Sequence, residues 1–307
     1  MDTALELENL AKTYKIGWRG IERKAVVDIS LAIPTGTVFG LLGPNGAGKT
    51  TTIKMAVGFL RPDSGRISIF GQANSLKIRS RIGFLPEQPY FYPHLTAEKA
   101  LDFYARLFYI KKAVRQERVR LLLDTVGLSD SANLPLQKFS KGMLQRFGIA
   151  QALVNNPDLL IVDEPASGLD PIGQVEIRKI LTALNAEGKS ILLSSHYLSE
   201  VENICHEVAI INKGTVISRG KVKNLLDTGD TYAVIASSLP TDWQPIKLAT
   251  KIERVNGMVR MVVEKHRLDR AIENIRSSGG FIEGVHRTTK TLEQLFMEII
   301  GGDTRGN

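Results

Sequence analysis

A single cysteine, Cys205, in 307 residues leaves no internal disulfide possible and fits a reducing, cytosolic compartment. Long apolar runs are missing too. The longest aliphatic stretches, such as Leu159 to Val162, fall far short of the ~20 residues a membrane helix needs, so no spanning segment is expected. The opening M-D-T-A-L-E-L-E-N-L carries early acids and has neither a basic start nor an apolar run, so a cleaved leader is not expected. Repeats and low-complexity tracts are absent. Core material is ample: hydrophobic residues make up 43% and charged residues 23%, which excludes a disordered chain and suits one large domain or two modest ones. The balance is basic, 40 Lys+Arg against 32 Asp+Glu for a net +8, which keeps nucleotide phosphates, nucleic acid and anionic membrane surfaces open as partners. The densest basic cluster is Arg106, Lys111, Lys112, Arg115, Arg118 and Arg120, with Glu117 among them. It reads as a solvated helix face or as a contact for lipid headgroups or a membrane partner.

Strand-like and helix-like segments alternate along most of the chain. A-L-E-L-E-N-L alternates with period 2, and T-V-F-G-L-L-G is a buried-type strand ending in glycine. Gly48 to Leu60 reads as a helix, stopped by the turn residues Arg61 to Gly65. R-I-S-I-F-G is a short strand. D-L-L-I-V-D, S-I-L-L-S-S and V-A-I-I-N are further buried-type strands, with helices about Ile172 to Asn185 and Leu198 to Ile204 between them. Such alternation predicts a mostly parallel sheet covered by helices. From Thr96 to about Gly127 apolar spacings of three and four indicate helix, so a helical subdomain over about 96–155 interrupts the sheet. After Gly220 the character changes. T-Y-A-V-I-A-S, M-V-R-M-V-V-E, a helix about Arg267 to Ser277, G-F-I-E-G-V and a helix Leu292 to Ile300 predict a small α+β domain at 221–307, following a main domain at 1–220.

G-P-N-G-A-G-K-T, Gly43 to Thr50, follows a strand and opens a helix, the context in which G-x-x-x-x-G-K-[ST] cradles phosphates. Backbone N–H groups and the helix N-terminus converge on phosphate oxygens there. Gly43, Pro44, Asn45, Gly46, Ala47, Gly48, Lys49, Thr50 and Thr51 are the expected nucleotide contacts. Lys49 would reach the β- and γ-phosphates and Thr50 would ligate Mg²⁺. L-L-I-V-D-E-P then delivers two acids at a strand's C-terminal end, the edge where open parallel sheets bind ligands. Asp163 would hold Mg²⁺ and Glu164 would polarise the attacking water.

These motifs and F-S-K-G-M-L-Q-R at 139–146 resemble the nucleotide-binding subunit of ATP-binding-cassette (ABC) transporters, whose signature is L-S-G-G-Q-x-Q-R. Ser140, Gly142, Gln145 and Arg146 match that pattern, and Phe139, Lys141 and Met143 depart from it. The resemblance covers about residues 3–220. It implies a P-loop α/β fold with an antiparallel β edge, and ATP and Mg²⁺ as cofactors. It also implies head-to-tail pairing, as a homodimer or with a second ATPase subunit. Ser140, Lys141 and Gly142 would then complete the partner's site. A-S-G-L-D-P resembles the D-loop, with Asp170 as its acid, and His196 resembles the switch histidine that senses the γ-phosphate. Tyr14 resembles the adenine-stacking aromatic, with plain strand packing as the alternative. In I-G-F-L-P-E-Q-P-Y-F-Y-P-H-L-T the family's glutamine position falls on Glu87, with Gln88 one residue later; either could approach the metal and water. The implied function is ATP hydrolysis powering a separate transmembrane permease. The chain would sit peripherally on the cytoplasmic face of the inner or plasma membrane, and the motif style points to export. The competing reading is a soluble ABC ATPase acting on the ribosome or nucleic acid. Long coiled coils or a second cassette would mark that class, and this sequence has neither, so no nucleic-acid partner is expected.

Overall fold

The structure, a computed structural model, describes residues 2–16, 21–240, 243, 249–255 and 257–303. The chain opens with two long strands, β1 (Thr3–Ile16) and β2 (Ile21–Pro34), then β3 (Val38–Leu42) running into helix α1 (Lys49–Ala56). Strands β4 (Ser64–Ile69), β5 (Gln72–Ala73) and β6 (Ile82–Leu85) follow. Helices α2 (Ala97–Leu107), α3 (Lys112–Thr125) and α4 (Lys141–Ala152) form the insertion. Then come β7 (Leu159–Asp163), α5 (Pro171–Ala186), β8 (Ser190–Ser195), α6 (Leu198–Ile204), β9 (Glu207–Asn212) and β10 (Thr215–Lys221).

The sheet order is β5-β4-β1-β2-β10-β9-β3-β8-β7-β6. Its middle is parallel: β3 pairs with β8 and β9, and β7 with β8 and β6. Every residue of β3, β7 and β8 is buried, as strands covered on both faces require. The β1–β2, β1–β4 and β4–β5 pairs are antiparallel and make the other side. The parallel core and antiparallel edge expected from the sequence are both present.

Two helical readings are revised. The first helix stops at Ala56 instead of running to Leu60, because Gly58 turns left-handed at φ 80° and the Phe59 and Leu60 amides fold back to the Lys54 carbonyl. The helical stretch from Thr96 is broken between α2 and α3, where Tyr109 adopts φ 57° and is 94% exposed. The basic cluster lies around this break, and half of it is spent on local structure. Arg106 and Arg115 both pair with Asp102, and Arg118 donates to the Val154 carbonyl at 3.0 Å. Burial raises the Asp102 carboxyl, but the hydrogen bonds and charge of Arg115 and Arg106 outweigh it and hold the group below its ordinary value.

Among the described residues, those up to Val222 cluster into one compact unit with those from Ile299 onward, and those between Lys223 and Glu298 cluster into a second. The second holds strands β11 (Asp227–Ser237), β12 (Ala249–Val255), β13 (Met258–Glu264) and β14 (Phe281–Thr289) in the order β12-β13-β11-β14, all antiparallel. Helix α7 (Leu268–Ser277) buries Ala271 and Ile275 in a core with Val234, Met261 and Val263. Helix α8 (Leu292–Asp303) ends the described chain.

In the helical insertion Phe147 of α4 is fully buried, with Phe91 and Phe139 edge-on to it at ring-centroid distances of 4.9 and 6.3 Å. It thereby pins the segment before β7 to the loop after β6. Phe147→Ala should destabilise the chain by about 3–5 kcal/mol, the range for emptying a buried aromatic site. Denaturant unfolding of the full chain measures this; a loss under about 1 kcal/mol would show that the site collapses to fill itself.

Candidate nucleotide-binding site

Strand β3 delivers the chain into the loop Gly43–Gly48, and two glycines there have steric reasons. A Cβ on Gly43 would lie 2.3 Å from the Ile211 backbone oxygen, and one on Gly48 2.6 Å from that of Ala25. Gly48 also adopts φ 110°. It caps α1 with no side chain, and the first turn holds no acid, so the amides of the helix start are left for an outside acceptor. The next residue, Lys49, is only 6% exposed. Its ammonium donates to the Gly43 carbonyl at 2.7 Å, which closes the loop on itself.

Strand β7 brings two carboxyls to the same place. Asp163 is 2% exposed and accepts hydrogen bonds from the Ser194 and Thr50 hydroxyls. Burial pushes its carboxyl above the ordinary value, and those two hydrogen bonds only partly oppose the rise. Glu164 follows at φ 51°, a left-handed conformation that costs a non-glycine residue of order 1–3 kcal/mol. Its amide is held by the Ser194 carbonyl at 3.1 Å and hydroxyl at 3.0 Å. That turn places one carboxylate oxygen 3.6 Å from the Lys49 ammonium. The other oxygen lies 2.6 Å from His196 Nδ1 and accepts from the His196 amide at 3.2 Å. Beside a carboxylate, Nδ1 carries the proton.

A cavity of about 760 Å³ opens over this cluster. Pro44 to Thr51, Glu164 and His196 line it, and so do Tyr14 and Glu87. Tyr14 sits half-buried in β1, paired with Arg23 of β2, at the cavity wall. Glu87 and Gln88 are both exposed, and Gln88 is not among the lining residues. Gly43 and Asp163 lie behind the lining: Gly43 supplies the carbonyl to Lys49, and Asp163 stands beneath Thr50.

Besides Gln88, four expected site residues lie outside this cavity. Ser140 caps α4, accepting from the Met143 amide at 3.2 Å, with Lys141 and Gly142 following it; Ser140 and Lys141 are exposed and Gly142 is half-buried. The Lys141 ammonium lies beside Gly168. Asp170 is exposed and caps α5 through the Gly173 amide at 2.8 Å. Sequence reasoning missed Ser194, although two serines ending an otherwise apolar buried strand signal hydroxyls with partners. It also missed Lys15 and Arg23, which line the cavity from strand-end positions without a motif of their own, and Ser167, which lies within the A-S-G-L-D-P motif but was passed over for Asp170.

The donors present suit a nucleotide triphosphate with Mg²⁺. A helix start without a side-chain cap and a buried ammonium face the cavity as anion binders. One hydroxyl and one carboxylate, hydrogen-bonded together beside them, form a sparse oxygen set. Mg²⁺ favours such a set, because it keeps waters and takes its other ligands from substrate phosphates.

The comparisons with known proteins agree with this chemistry. Residues 26–167 match the family profile described as ABC transporter. An ABC transporter ATP-binding protein from Nostoc sp. is 39% identical over 298 residues, covering 95% of this chain and 88% of that protein. Nod factor export ATP-binding protein I of Ralstonia nicotianae is 36% identical over 242 residues, 77% of this chain and 74% of its own. Among solved structures, a dimeric ATP-binding cassette in a post-hydrolysis state with ADP and Pi superposes with a TM-score of 0.65 at 28% identity, covering 71% of this chain and 98% of that one. Likeness at this identity, along most of both chains, shows that the chain belongs to the ABC transporter family, among its ATP-binding subunits.

Proposed function

We propose that the cavity over Lys49 binds ATP with Mg²⁺ and that Glu164 directs its hydrolysis, powering a separate transmembrane permease. The observation that carries the reading is the engagement of Glu164. Its carboxylate is held by Lys49 and His196, two groups suited to binding phosphate. Incoming phosphates compete for both, which frees the carboxylate to take a proton from water. Thr50 and Asp163 are the residues that would hold Mg²⁺, with Glu87 as a further ligand from the cavity wall. When bound, the metal supplies charge neutralisation across the β- and γ-phosphates. Tyr14 would stack on the base.

The Ser140–Gly142 segment, outside its own chain's cavity and exposed at Ser140 and Lys141, serves the site of a second ATPase subunit, identical or paired, with Asp170 near the same junction. Residues 1–220 form the nucleotide-binding domain, and 221–307 a small domain without an assigned ligand. Permease contact falls on the α2–α3 region and the loop after β6, where Tyr90, Tyr92, Phe108 and Tyr109 are exposed. Among the described residues no helix is long and apolar enough to cross a membrane, which supports a separate spanning subunit. Likeness to the Nod factor export subunit supports export, with the chain on the cytoplasmic face.

Three outcomes test the reading. Glu164→Gln should keep ATP affinity, lose about 10²–10⁴-fold in turnover and accumulate as an ATP-bound dimer; near-normal turnover of the purified variant would reject Glu164 as the base. Lys49→Ala should instead weaken nucleotide binding itself, because phosphate charge is left uncompensated. Titration calorimetry reads that difference, and unchanged affinity would contradict the assignment. Glu87→Gln should retain substantial ATPase activity while Glu87→Ala loses it and Gln88→Ala does little. Loss with Gln88→Ala and silence at Glu87 would move the metal-facing role to Gln88.

A further inference from the structure

Gln145 is a polar side chain with no role so far. It lies on α4 and is 2% exposed. Its Nε2 donates to the Glu87 backbone carbonyl at 3.1 Å, and its Oε1 is buried with no hydrogen-bond partner. An apolar side chain of the same length would avoid that orphaned acceptor, so packing alone gives no reason for glutamine here. Packing between helix and loop is already supplied on both sides of this bond. A Cβ on Gly148 would lie 2.5 Å from Leu85 Cδ1, so the helix backbone presses onto the end of β6. Phe147 packs on Phe91 at the far end of the loop. What the amide adds is direction: it fixes the carbonyl of the residue whose side chain lines the nucleotide cavity. Ser140 stands five residues earlier on the same helix, about 7.5 Å along its axis.

We propose that Gln145 is a positioning residue that couples the two ATP sites of a dimer. It would tie the Glu87 loop of one cavity to the Ser140 cap that completes the other. Occupancy of a cavity moves Glu87, the amide passes that displacement to α4, and Ser140 is presented to the opposite site in step. This rests on the dimeric reading given above. The apolar contacts of Phe147 and Gly148 keep the helix attached without setting its register against the loop, and the directional bond sets it.

The test uses the full chain and Gln145→Met, which keeps the length and removes both donor and orphaned acceptor, with Gln145→Glu as a second variant that removes the donor in its ionised form. ATPase rate is followed against ATP concentration, beside nucleotide affinity under conditions that keep the chain monomeric, and Tm. The proposal expects the Hill coefficient to fall towards one and kcat to drop about three- to tenfold, the effect of one lost hydrogen bond. Monomer affinity and the Tm of Gln145→Met should stay unchanged. A Hill coefficient equal to that of the parent chain in both variants would overturn it. So would activity that falls only as Tm falls, which is the mark of a structural role. If the parent chain itself shows no ATP-driven dimer and no cooperativity, the dimeric reading fails first and the coupling with it.

Discussion

The site depends on one buried cation. Lys49 has almost no contact with solvent, so its ammonium must be satisfied from within, and the Gly43 carbonyl and Glu164 carboxylate do this. A buried charge without such partners would be unstable. The glycines at 43 and 48 allow the loop to close that tightly, and the strands β3 and β7 set where its two ends and the carboxylate arrive. The parallel core is in this sense the frame on which one ammonium can be held a few ångströms from a carboxylate and still be offered to an outside anion.

Ser194 shows how the frame is adjusted. It lies in β8, fully buried, and serves both acids at once: its hydroxyl donates to Asp163, and its oxygens hold the Glu164 amide. Neighbouring strands thus fix the relation between the Asp163 and Glu164 carboxyls without a loop in between. Strand registers in which Asp163 stands beside Ser194 are required for this, and a slip of one residue would turn Ser194 to the other face of the sheet.

Much of this arrangement was legible in the sequence because its signals are local. A glycine-rich turn between an apolar strand and a helix, and two acids ending another apolar strand, declare themselves within a few residues of each other. The break at Tyr109 was not legible, because helical spacing continues on both sides and the left-handed residue is not a glycine. Strand β12 was also missed: T-K-I-E-R-V is mostly polar, as suits an edge strand of a small sheet. Gln145 was visible only as a match to a family pattern, because its burial and its bond to Glu87 come from a contact 58 residues apart in the chain. Ser140, Lys141 and Gly142 are a different case: the family resemblance assigns them to a partner's site, and they lie outside the cavity of their own chain, as does Asp170.

The left-handed backbone at Glu164 bears on how the sequence can drift. Glycine would relax that conformation and asparagine would tolerate it, yet either removes the carboxylate that the turn presents. Selection for a sturdier fold alone would therefore favour replacements here that remove the proposed base, and selection for its carboxylate must keep restoring a residue the backbone disfavours. Laboratory evolution towards heat resistance, run without an activity screen, would be drawn to this position early and would return well-folded chains without this carboxylate.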